Sequence, residues 1–266
     1  MTFANILYEP LGPVARIWHN RPARRNAENM ELLDELDQAI AQAVADPEIR
    51  VIIIAGKGDH FSAGHDLKDA AMLRKQDTPE DRYEFESLRY YEYCLRIWDA
   101  PKPVIAQVQG ACIAGGFMVA NMCDLVIASD DAFFADPVVN AFGAAAVEVL
   151  VHPWAMGLRK AKQMLYTGGR ISALEAHAIG MVNEVVPRAE LESATLEMAG
   201  KIAQSSSFAL RLIKRSLNRT AEIQGFRSAL NAHFDTHQLS HMSSEGQAAR
   251  AAGFDNAIAG AKARIS

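Results

Sequence analysis

Two short glycine-bearing stretches carry the residues best suited to chemistry. The first is Phe61-Ser62-Ala63-Gly64-His65-Asp66-Leu67, which follows the turn Gly56-Lys57-Gly58. The second is Gly110-Ala111-Cys112-Ile113-Ala114-Gly115-Gly116. Small residues let a ligand approach the backbone closely. A glycine pair at the head of a helix leaves N–H groups free to face an anion. Either stretch alone reads first as a plain tight turn. Placed after two successive buried strands, the pair marks the kind of crevice where α/β proteins hold ligands. A third constellation is His233, His237 and His241, spaced to share one face of a helix. Such histidines can bind zinc, but no HExxH glutamate accompanies them. They are expected to be solvated or to pack between subunits, and no metal is expected.

The elements that must position these loops are legible from periodicity. Val51-Ile52-Ile53-Ile54-Ala55 is a continuous β-branched run bounded by glycine, the pattern of a strand buried on both faces. Similar runs cover 104–108, after Pro101-Lys102-Pro103, and 125–128. Two N-terminal strands flank a Gly12-Pro13 turn. A helix is predicted over 28–45 from the stripe Met30, Leu33, Leu36, Ile40 and Val44, and another over 117–123. Ser172 with Glu175 forms a capping box, and Gly180 stops that helix. Long helices follow over 190–204 and 208–220, and the tail 224–266 reads as helical. Alternating strands and helices imply an α/β fold with a parallel sheet. No linker or repeat divides the chain, so one domain is expected: a core over 1–190 holding the site and a helical region over 191–266.

Composition narrows the function. A net charge of -5 gives no electrostatic reason to bind nucleic acid or an anionic membrane. No apolar run reaches the length of a membrane span, and no signal peptide is visible at the N-terminus, so a cytoplasmic location is expected. Cys94, Cys112 and Cys123 lie in apolar surroundings without CxxC spacing, which suggests buried, reduced thiols. No GxSxG, GxGxxG or Walker motif is present, which disfavours hydrolase, Rossmann and P-loop readings.

Four segments together resemble the crotonase (enoyl-CoA hydratase/isomerase) superfamily. DPEIRVIIIAGKGDHFSAGHDLK is similar to that family's strand followed by an [S/A]-A-G-x-D-[LI] loop. PKPVIAQVQGACIAGG resembles its PKPVIAAVNGxAxGGG, and CDLVIASDDAFFADP its CDLRIAxxxAxFxxPE. LYTGGRISALEAHAIGMVNEVVP resembles its LLTGxxIxAxEAxxxGLVxxVVP. The resemblance implies a spiral of ββα turns followed by a helical trimerisation region, with homotrimers or hexamers. It implies an acyl-CoA substrate, coenzyme A entering only as part of that substrate, and no separate cofactor. By position, the amides of His65 and Gly115 would form an oxyanion hole for the thioester oxygen. The backbone from Ala63 and Gly64 through Asp66 to Leu67 would edge the adenine pocket. Arg24 and Arg25 would approach the CoA phosphates, unless they are an ordinary solvated pair. Gly116, Met118 and Val138 would line the acyl site.

The chain departs from the family where hydratases carry two glutamates. Met118 stands at one position, three residues past Gly115, and Val138 at the other, after Pro137. Neither side chain transfers protons, so ordinary hydratase activity is not expected. Isomerisation, decarboxylation, thioester hydrolysis or a silent acyl-CoA binder remain open. Three groups are candidates for other chemistry. Glu148 is expected at a helix start with its pKa raised by burial, either as an acid–base group or as a favourable helix-start carboxylate. Asp136 has a surface or capping role as its alternative, and His65 a purely backbone one. Trp154 is expected in the core or on the acyl pocket.

Overall fold

The computed structural model describes residues 3–263 apart from 76, 254, 257, 258, 261 and 262. The last residues of the expected helical tail, 264–266, lie outside it. The chain opens with β1 (Ile6–Leu11), β2 (Val14–His19) and α1 (Met30–Ala45), then β3 (Val51–Gly56). Next come α2 (Ala70–Arg74), α3 (Pro79–Glu86), a π-helical turn (Ser87–Glu92) and α4 (Tyr93–Asp99). The middle runs β4 (Val104–Val108), β5 (Ala111–Ile113), α5 (Gly115–Met122), β6 (Leu125–Ser129), β7 (Phe133–Ala135) and α6 (Val138–Phe142). It continues through α7 (His152–Thr167), β8 (Arg170–Ser172), α8 (Ala173–Ala178) and β9 (Glu184–Val186). The helices α9 (Leu191–Ala203), α10 (Ser207–Ile223), α11 (Phe226–His241) and α12 (Ser244–Ala251) follow.

The α/β class is as expected. A six-stranded sheet has the order β1-β2-β3-β4-β6-β9. In this sheet only β1 runs antiparallel to its neighbour; β2, β3, β4, β6 and β9 pair in parallel. Every residue of β3 and β4 is buried, which is why both read as unbroken apolar runs. Helix α1 covers one face with Leu32, Leu33, Leu36 and Ile40, while α9 covers the other with Leu191, Ala199 and Ala203. Among the described residues no helix is long and apolar enough to cross a membrane.

A second, three-stranded sheet, β5-β7-β8, runs beside the first. Between them the chain makes the two glycine loops, and a backbone bridge joins Ser62 to Cys112. The Ser62 N–H donates to the Ala111 carbonyl, and the Ile113 N–H donates to the Ser62 carbonyl. Two loops far apart in sequence are thereby one backbone unit.

Several expected boundaries move. Helix α5 begins at Gly115, two residues before the expected start, so the glycine pair belongs to the helix itself. Helix α1 begins at Met30, because the Asn29 side chain caps it by accepting from the Leu32 N–H. Glu28 therefore lies outside the helix and pairs as extended backbone with His65. Glu148 is not at a helix start: it lies in an irregular stretch, and α7 begins at His152. Trp154 is 38% exposed, its ring edge-on to Phe226 at 5.3 Å, because it faces outward on the first turn of α7.

Candidate active site

The site is assembled from the two loops and three distant segments. At its centre Ala114 adopts φ 48°, a left-handed conformation unusual for a residue with a Cβ. That turn starts α5 and exposes the N–H of Gly115. No acceptor for this N–H, or for that of His65, occurs among the described residues. The reason at His65 is the bridge to Glu28: flanking groups make the pairing, Glu28 N–H to Gly64 carbonyl and Asp66 N–H to Glu28 carbonyl, so the His65 N–H points the other way. A Cβ on Gly115 would lie 2.2 Å from Glu28 Oε2 and 2.6 Å from His65 Cε1. A Cβ on Gly116 would lie 2.6 Å from the Ser62 Cβ. Both glycines are fixed by close approach, and proline at 115 would disrupt the surroundings as well as delete a donor.

His65 is the hub of a buried charged chain. Its Nε2 is hydrogen-bonded to Glu148 Oε2 at 3.2 Å. Its Nδ1 lies 3.4 Å from Glu28 Oε2, an ion pair without hydrogen-bond alignment. The other Glu28 oxygen accepts from the Ser62 hydroxyl at 2.9 Å. The imidazole stacks on Tyr90 of the π-helical turn, centroids 3.7 Å apart. Beyond Glu148, His237 Nε2 lies 3.5 Å from Glu148 Oε1 and 3.5 Å from Glu86 Oε2. Acid and base thus alternate from Glu28 through His65, Glu148 and His237 to Glu86.

This alternation sets the proton affinities. Burial alone would lower the pKa of His65, but the charge and hydrogen bond of Glu148, helped by Glu28, raise it to about 10. Burial alone would raise that of Glu148, but the charge of His65 and the hydrogen bonds from His237 and His65 hold it well below the ordinary range. The expectation of a raised Glu148 pKa is therefore overturned: cations on both sides outweigh desolvation. His237 is likewise raised to about 10 against burial, by Glu148 and Glu86. Glu86 is raised, chiefly by burial. The centre can hold a stable imidazolium beside an ionised carboxylate, next to two vacant N–H donors.

The other expected residues fall around it. Met118, 2% exposed, accepts the Val149 N–H on its sulfur at 3.2 Å, so it abuts the Glu148 segment. Val138, at the head of α6, reaches that segment only indirectly: Asp136 accepts both its N–H and that of Val147. Asp136 is fully buried, with His152 Nε2 at 3.2 Å, which corrects its surface reading. Asp66 pairs with Arg21 at 2.9 Å. The exposed turn carrying Arg24 and Arg25 lies against the first loop, where Arg25 accepts the Ala63 N–H on its carbonyl. Leu67 and Ala63 are half-buried beside His65.

The expectation that the three histidines of α11 are solvated or pack between subunits is corrected for His237, which is buried within the chain, while His233 and His241 are half-exposed. His237 is 1% exposed and its Nδ1 is 2.9 Å from the Ala146 carbonyl, while His233 Nε2 is 2.8 Å from the Val147 carbonyl. They clamp the 146–148 stretch. Glu28 and Glu86 were not singled out from the sequence. The available signal for Glu28 was Asn29, the better N-cap, which leaves the glutamate outside the helix.

Residues 11–252 match the family model described as enoyl-CoA hydratase/isomerase. A putative enoyl-CoA hydratase of Mycobacterium tuberculosis is 41% identical over 90% of this chain and 81% of its own length. A probable enoyl-CoA hydratase of Mycobacterium smegmatis superposes with a TM-score of 0.84 at 48% identity, covering 89% of this chain and 94% of the other. An enoyl-CoA hydratase/isomerase of Xanthobacter autotrophicus Py2 superposes with a TM-score of 0.91 at 37% identity over the whole of both chains.

Proposed function

The chain belongs to the enoyl-CoA hydratase/isomerase family, and from that premise we propose that it is an enzyme acting on an acyl-CoA thioester through its enolate. The thioester oxygen accepts from the N–H groups of His65 and Gly115. As the enolate forms, negative charge grows on that oxygen, where two fixed donors act and cost no reorganisation; one such donor is typically worth roughly 10²–10³ in rate. The observation that carries the reading is the unpaired N–H of Gly115 packed against the His65 ring, which is itself bound to Glu148.

Proton movement falls to Glu148. Its carboxylate is ionised and can accept a proton from the substrate α-carbon; the C–H electron pair passes to the thioester oxygen. Return of the proton at the γ-carbon of an unsaturated acyl chain restores the carboxylate and completes an isomerisation, whereas return at the α-carbon gives exchange alone. The His65 imidazolium sits beside the growing charge and keeps Glu148 ionised. A silent binder would have no use for a buried carboxylate held on the His65 ring. Hydration of crotonyl-CoA is expected to be slow, because Met118 and Val138 stand where hydratases place their glutamates. The exposed apolar face of α10, with Phe208 66% and Leu217 63% exposed, supports the trimer packing expected of the family.

The test is Glu148→Gln with a panel of acyl-CoA esters. Binding by calorimetry should persist, and α-proton exchange with deuterated water should fall by roughly 10²–10⁴. Unchanged exchange would remove Glu148 from the mechanism, and absence of any CoA-ester binding by the unmodified chain would remove the reading altogether. Glutamates introduced together at 118 and 138 should raise crotonyl-CoA hydration.

A further inference from the structure

The end of the charged chain remote from His65 is rich in acceptors. His237 and His241, one turn apart on α11, bring their Nε2 atoms within 3.0 Å of each other. Glu86 Oε2 lies 3.5 Å from His237 Nε2, and one ligand atom from each of the three residues lies within 4.8 Å of the others. His237 Nδ1 faces the Ala146 carbonyl at 2.9 Å. A carbonyl only accepts, so Nδ1 carries a proton and Nε2 is the atom that meets the cluster. Three acceptors then face Nε2 of His237: His241, Glu86 and Glu148 Oε1, the last at 3.5 Å. A single proton on that nitrogen can point at only one of them.

We propose that Glu86, His237 and His241 form a binding site for a divalent transition ion of the zinc class. Bonds of about 2.0–2.2 Å at tetrahedral angles put neighbouring ligand atoms roughly 3.3–3.6 Å apart; here His237 Nε2 lies 3.0 Å from His241 and 3.5 Å from Glu86, and all three ligand atoms fall within 4.8 Å. Two imidazoles and a carboxylate are the donor set such ions prefer over magnesium or calcium. The supporting contacts are those of a metal site: His237 is oriented by a backbone carbonyl, and Glu86 accepts from the Gln238 amide at 2.6 Å. Arg82 Nε approaches Glu86 Oε1 at 3.9 Å, while Oε2, which accepts from Gln238, faces His237. Glu86 and His237 are buried whereas His241 is half-exposed, which gives an ion an approach from solvent. Binding displaces any proton on His237 Nε2. The site would lock α11 to the end of α3, where the π-helical turn that carries Tyr90 begins.

The test is direct and independent of acyl-CoA turnover. The full chain is stripped with a chelator and titrated with Zn²⁺ against a chromophoric competitor. One equivalent per chain should bind, and cobalt(II) should give the intense visible bands of a tetrahedral site. His241→Gln, at a half-exposed position that should not impair folding, and Glu86→Gln should each weaken Zn²⁺ by at least about 100-fold. Zn²⁺ should raise the melting temperature of the unmodified chain and not that of His241→Gln. If either variant binds Zn²⁺ as tightly as the unmodified chain, or if the unmodified chain binds only at millimolar concentration, the histidines serve as an ion-pair clamp and the site is overturned.

Discussion

The central sheet and the charged chain beside it both lie out of bulk water and are built on opposite principles. In β3 and β4 every side chain is withdrawn from water, and each apolar group gains from any apolar neighbour. From Glu28 to Glu86 every buried group depends on one particular partner, because an unpaired buried charge is far costlier than a poorly packed methyl group. The sheet tolerates conservative exchange of its residues; the chain of acids and bases does not. Damage in the sheet should be indifferent to pH, whereas damage in the charged chain should follow it.

That contrast can be broken by substitution. The largest effect is expected at His65→Leu, which leaves Glu28 and Glu148 without the cation between them. A loss of about 3–5 kcal/mol is expected below about pH 6.5, shrinking as pH rises toward 10 and the folded imidazolium loses its proton; chemical denaturation across pH would show it. A loss equal at pH 5 and pH 8 would erase the distinction. Ile54→Ala, in the sheet, should cost about 2–5 kcal/mol at every pH. Asp136→Asn keeps the shape of a fully buried side chain but weakens its hold on Val138, Val147 and His152. Denaturation should show a loss of about 1–3 kcal/mol, with slower turnover because the stretch before Glu148 loosens. Leu217→Gln, on the exposed face of α10, should change the stability of the isolated chain by no more than about 0.5 kcal/mol, while light scattering should show weaker self-association.

The unmodified chain offers a pH test of its own. The folded pKa of His65 is raised to about 10, from an ordinary value of 6.5. Its contribution to stability is therefore fully present below about pH 6.5 and is lost as pH rises toward 10. Melting temperature should decline across that window, and His65→Leu should flatten part of the decline.

The same contrast explains what could be read from the sequence. The strands of the sheet announced themselves, because apolar burial leaves a local pattern that needs no knowledge of partners. The two glycine loops were legible for a related reason: tight backbone approach demands small residues in a row. The start of α5 was placed late because a glycine pair resembles a turn more than a helix. Glu148 was picked out by its proximity to a missing glutamate, yet its setting and its pKa were misjudged. Its partners, His65 and His237, come from segments far away in sequence, and no local pattern joins them. Glu28 was hidden by the apolar stripe that follows it, and Glu86 by an ordinary polar helix. His237 was noticed for its spacing and assigned to solvent or to packing between subunits, because nothing nearby in sequence shows that α11 packs over the 146–148 stretch.

The backbone bridge between Ser62 and Cys112 has a consequence for the side chains around it. It fastens the loop of His65 to the loop of Gly115 through main-chain groups, so their separation is indifferent to most of the side chains around them. Side chains at positions such as 118 and 138 can change while the two loops keep their separation. The main chain supplies a fixed grammar, and the side chains remain free to change the sentence.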